Sequence, residues 1–80
     1  MIDYKIRCSL ERFVNDKIPT GGFLRSVLAN DLMGAFNKAD DFNREHMPEI
    51  VKYIYNELPV GCYGTYATVD RWLGGEDEED

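Results

Sequence analysis

Eighty residues make room for one small domain, and 44% hydrophobic residues with ten aromatics are too many for a disordered chain. No run of about 18 apolar residues occurs, so a membrane-spanning helix is not expected. The net charge of −6 sits almost wholly in Glu76, Asp77, Glu78, Glu79 and Asp80: residues 1–75 hold nine Lys and Arg against ten Asp and Glu. That near-neutral body has no basic stripe with interleaved aromatics, so direct nucleic-acid binding is not expected.

Apolar spacing and end signals predict helices throughout. The first runs roughly from Asp3 to Asn15, with Ile6, Leu10, Phe13 and Val14 on one face. Pro19 and the Gly21-Gly22 pair then reverse the chain. A second helix starts near Thr20 or Gly21 and runs to about Ala29, with Phe23, Leu24, Val27 and Leu28 apolar. Asn30-Asp31 interrupts, and Asp31 is a good N-cap for a third helix from Leu32 to Lys38. One continuous helix through Asn30 is the alternative, because Leu24, Leu28, Leu32 and Phe36 keep a spacing of four.

Asp40-Asp41-Phe42-Asn43 reads as a turn of solvated carboxylates, with Asn43 capping a helix whose first turn holds Pro48. Met47, Ile50, Val51, Ile54, Tyr55 and Leu58 are its expected buried stripe. Pro59 to Gly64 reads as a loop. Thr65 caps a last helix from Tyr66 to Leu73, with Val69, Trp72 and Leu73 inward, and Gly74-Gly75 ends it. The expected fold is all-α: a compact bundle of four or five short helices over residues 1–75, followed by a disordered acidic tail at 76–80.

Groups for chemistry are sparse. His46 has no Cys or second His at metal-ligand spacing and reads as a surface histidine. Cys8 and Cys62 form no Cys-x-x-Cys, and an N-terminus without a basic-then-apolar leader favours two free thiols in a reducing cytoplasm, a disulfide from the first helix to a late loop being the alternative. No phosphate-loop, dinucleotide or nucleophile-elbow pattern occurs. No catalytic residue, metal site or cofactor is therefore expected.

Two segments stand out for binding. Thr20, Gly21 and Gly22 open a helix with bare backbone N–H groups, flanked by Lys17 and Arg25, and read either as a seat for a phosphate or carboxylate or as an ordinary turn with a Thr or Gly cap. Tyr63 and Tyr66, near Trp72, form either an exposed contact patch or a lid on the core. The candidate binding residues are Thr20, Gly21, Gly22, Arg25, Asn30, Asp31, Tyr63 and Tyr66. A domain this small with ten aromatics can also bury some of them in a homodimer.

The run from Ile18 to Phe36 contains Pro19-Thr20-Gly21-Gly22-Phe23 and Asn30-Asp31-Leu32-Met33-Gly34-Ala35. Tyr55-Asn56-Glu57-Leu58-Pro59, Cys62-Tyr63-Gly64-Thr65 and Trp72-Leu73 follow. In these motifs, over about residues 10–73, the chain resembles a widespread group of very small proteins encoded by bacteriophages, prophages and plasmids. The resemblance implies a habitat, the mobile element inside a bacterial host, and no particular reaction. It implies an accessory protein of the host cytoplasm that binds a host or phage protein, such as an anti-CRISPR or anti-restriction inhibitor. The alternative is a binder or sponge for a small phosphate-bearing ligand at the Gly21-Gly22 helix start. The acidic ending is not part of the shared pattern.

Overall fold

The computed structural model describes residues 2–74, and the regular structure among them is helical. Helix α1 (Tyr4–Asp16) is opened by Asp3, whose carboxylate accepts from the N–H groups of Lys5 and Ile6. It stops at Lys17, which takes the left-handed conformation (φ 58°). Helices α2 (Gly22–Leu28) and α3 (Leu32–Lys38) follow, separated at Asn30, so the continuous-helix alternative does not hold.

Helix α4 (Asp41–Glu45) occupies the segment expected to be a turn. Its cap is Asp40, whose Oδ1 accepts from the Asn43 N–H at 2.8 Å. Asn43, expected to cap the helix that holds Pro48, lies inside α4 instead, the N-cap of that later helix is His46, and the described helices number six rather than four or five. Helix α5 (Met47–Glu57) carries Pro48 in its first turn, where a missing N–H costs nothing. Within the expected Pro59–Gly64 loop, Val60–Cys62 forms one 3-10 turn. Helix α6 (Tyr66–Trp72) is capped by the Thr65 hydroxyl at the Thr68 N–H. The acidic tail and its expected disorder lie outside the described residues.

The core joins Leu10 and Phe13 of α1, Leu24 and Leu28 of α2, Ile50 and Ile54 of α5, Cys62, and Val69 of α6. Leu10 and Phe13 are fully buried, so truncating Phe13 to Ala is expected to cost about 3–5 kcal/mol. Trp72 fastens α6 to α1: its Nε1 donates to the Phe13 carbonyl at 3.1 Å, and the Lys17 ammonium lies 3.4 Å from the ring centre. Helices α3 and α4 add nothing to this cluster. Two residues of the expected α5 stripe, Val51 and Tyr55, are exposed instead. The α5 apolar stripe is two rows wide, and only the row Ile50-Ile54-Leu58 meets the core.

Candidate functional site

The site is built on the break between α2 and α3. Asn30 sits at φ 63°, a left-handed position that asparagine tolerates better than most residues. The N–H of Asn30 donates to the Val27 carbonyl at 3.1 Å and that of Asp31 to the Ser26 carbonyl at 2.9 Å, the pairing of a Schellman end. The last carbonyl of α2, on Leu28, accepts from the Gly64 N–H at 2.7 Å, and Gly64 holds φ 130°. Asp31 then caps α3, its Oδ1 accepting from the Gly34 N–H at 3.0 Å. A Cβ at Gly34 would run into that carboxylate.

Both ends of α3 are tied down through one buried hydroxyl. Ser26 is 0% exposed. Its Oγ accepts from Lys38 Nζ at 3.1 Å and lies 3.2 Å from the Tyr66 hydroxyl. The Tyr66 hydroxyl gives its single proton to Asp31 Oδ2 at 2.6 Å. Tyr66 therefore accepts from Ser26, and the chain runs one way from ammonium to carboxylate: Lys38, Ser26, Tyr66, Asp31. The Tyr66 hydroxyl, then the Gly34 N–H, hold the Asp31 carboxyl below the usual carboxylate range. Beside this chain Arg25 pairs with Asp70 at 2.6 Å, which lowers the pKa of Asp70, and its guanidinium lies 5.0 Å from the Tyr66 ring centre.

A serine beside a lysine is the pairing of some nucleophilic enzymes. Here the hydroxyl is fully buried, and both of its partners are spent on holding helices together. The Cys62 thiol is also buried, which pushes its pKa up, away from the reactive thiolate. Cys8 and Cys62 are not joined in a disulfide. Among the described residues no three His, Cys, Asp or Glu side chains converge as a metal site. Nor is any helix there long and apolar enough to cross a membrane.

Polar tethers inward leave the apolar side of α3 outward. Leu32, Met33 and Tyr55 are 69%, 77% and 74% exposed, and Phe36 and Val51 are about half exposed. Leu32, Val51 and Tyr55 border a groove between the α2–α3 turn and α5, and Met33 and Phe36 stand on the outer side of α3 beside it. One hollow of about 250 Å³ is lined by Val27, Leu28, Val51, Ile54, Tyr55 and Tyr63, with Asn30 and Gly64. A second, of about 200 Å³, is lined by Val27, Asn30, Leu32, Ala35, Met47 and Val51, with Asp31. Val27, Asn30 and Val51 are common to both, so the two hollows are one groove. The outer row of α5, Met47-Val51-Tyr55, forms its wall. Asp31, already engaged by Tyr66 and Gly34, is the one charged residue in the lining.

No known protein family, characterised protein or solved structure matches the chain. The residues singled out from sequence divide three ways. Asn30, Asp31 and Tyr63 border the groove. Tyr66 lies in the tether beneath α3, and Arg25 lies beside it, paired with Asp70. Thr20, Gly21 and Gly22 stand apart: the Thr20 hydroxyl donates to the Gly21 carbonyl, and Gly21 caps the seven-residue α2 without a side-chain bond. Arg25 is held by Asp70, and Lys17 lies over Trp72, so both expected cations at that helix start have other partners. Tyr66 and Trp72 do not share a patch, since one meets Asp31 and the other Phe13. Sequence reasoning missed Ser26, Leu32, Lys38, Val51 and Tyr55. The available signal was the double width of the α5 stripe.

Proposed function

We propose that this chain is an accessory protein of a bacterial mobile element that acts by binding a protein. Its working surface is the groove between the α2–α3 turn and α5, together with the outer side of α3. The observation that carries this reading is the orientation of α3. Its charged ends are spent inward, on Ser26 and Tyr66, while Leu32 and Met33 stand in water. Contiguous apolar surface kept exposed on a small domain marks a place another macromolecule covers. The buried state of the Ser26 hydroxyl and the Cys62 thiol supports a role without covalent chemistry. The motifs that suggest a phage or plasmid habitat support a host or phage protein as the partner. Inhibition of a CRISPR or restriction system is the assignment that fits a binder of this size.

The test is a plaque assay in bacteria whose CRISPR or restriction system blocks a phage. The chain is expected to restore plaques, and Leu32→Lys or Tyr55→Ser to remove that restoration by about tenfold or more. Failure to restore plaques against any such system sinks the counter-defence assignment. Full restoration by both variants sinks the surface.

A further inference from the structure

The groove carries both halves of an interface on a single face. Leu32 and Tyr55 project from its two ends, and between them lie the hollows of about 250 and 200 Å³. Under a twofold rotation the projections of one such face can enter the hollows of a second copy. An axis in the plane of this face, crossing the groove at Val51, sets the Tyr55 end of one copy against the Leu32 end of another.

We infer that this face pairs with a second copy of the chain, so that the free protein is a twofold-symmetric homodimer. Area supports that occupant. The exposed parts of Leu32, Met33, Phe36, Val51 and Tyr55 amount to roughly 600 Å² on each copy, and a pair buries roughly twice that, above the ~1,000 Å² a specific interface needs. Charge supports it as well. Self-pairing usually founders on like charges brought face to face; Asp31 is the one charge in the lining of the hollows, and Arg44, 5.2 Å from the Phe36 ring centre, is paired with Asp41 at 3.5 Å. The Asp31 carboxylate is turned to the Tyr66 hydroxyl and the Gly34 N–H. Size adds a motive, because an 80-residue chain buries a smaller fraction of its surface than larger domains do. An interface at the lower limit of size gives a dimer that exchanges readily. The inference rests on the reading that this face is a protein interface and names its occupant in the free protein. A partner protein would displace the second copy.

The experiment is light-scattering mass measurement on the full chain from ~10 μM to ~1 mM. The expected result is a mass rising to twice the monomer. Leu32→Lys and Val51→Lys are expected to raise the dissociation constant by about tenfold or more. Tyr4→Lys, in a separate hollow with Ile2, Arg7 and Tyr53, is expected to leave it unchanged. Leu32 and Val51 are already exposed, and far-UV circular dichroism checks that each variant keeps its helices. A monomer at ~1 mM overturns the homodimer. So does a dimer untouched by both groove variants, or one lost in Tyr4→Lys. A monomeric wild type whose plaque restoration is still lost in Leu32→Lys removes the homodimer alone and leaves the proposed function standing.

Discussion

Asn30 sets the direction of everything that follows it. Its left-handed conformation ends α2 and turns α3 so that Asp31 and Lys38 face Tyr66 and Ser26. A β-branched residue there has to pay the steric cost of that conformation, while glycine does not. Asn30→Val is therefore expected to lower stability by about 1–2 kcal/mol, and Asn30→Gly by no more than ~0.5 kcal/mol, measured by urea unfolding. Equal losses in the two variants would contradict the role given to this position. The two depressed carboxylates give a second prediction at the same scale. Asp31 is held down by Tyr66 and Gly34, and Asp70 by Arg25. In the unfolded chain both titrate near the ordinary ~3.9. Their contribution is thus present above that pH and lost as pH falls through the lower folded values. The thermal midpoint is expected to fall below about pH 4, and the fall to be shallower in the double variant Asp31→Asn, Asp70→Asn. An unchanged acid limb would contradict the assignment.

Helix α3 puts only Ala35 into the interior, outside the main cluster, and is otherwise held by hydrogen bonds, so it should open before its neighbours. Tyr66→Phe takes one partner from the buried Ser26 hydroxyl and one from Asp31. The expected effect is about 1 kcal/mol, seen as roughly fivefold faster hydrogen exchange at the Ala35–Lys38 amides with α1 unchanged. Uniform acceleration across all helices would mean that Tyr66 serves global stability instead. The same helix marks where the sequence stopped being legible. Capping residues and apolar spacing placed α1, α2, α3, α5 and α6 close to their observed bounds, because those signals are local. Asp40 was missed as a cap, since a pair of aspartates before a phenylalanine reads equally well as a turn. The facing of α3 was not readable at all. Leu32 and Phe36 continue the spacing of Leu24 and Leu28, and only the rotation at Asn30 puts them on the outside. Nothing local marks the role of Lys38, because its partner, Ser26, lies twelve residues away across the turn. Of the site, Asn30, Asp31 and Tyr63 were visible as motif residues. The apolar wall from α5 was visible only as a stripe wider than one core needs.

At the scale of the whole molecule, the domain divides into a closed side and an open one. Helices α1, α2, α5 and α6 enclose Leu10, Phe13, Leu28, Ile50 and Val69, and Trp72 seals α6 onto α1. Helix α3 lies across this body with Asp31, Ala35 and Lys38 inward and Leu32, Met33 and Phe36 outward. That outward side and the outer row of α5 form the surface on which both the proposed function and the homodimer depend. The most direct measurement is a map of backbone amide chemical shifts as the chain is concentrated about a hundredfold, through the range in which an interface of this size associates. Shifts are expected at Val27–Phe36, at Met47–Tyr55 and around Tyr63, with α1 unmoved. Shifts centred on α1, or none over the whole range, would contradict the pairing of this face with a second copy.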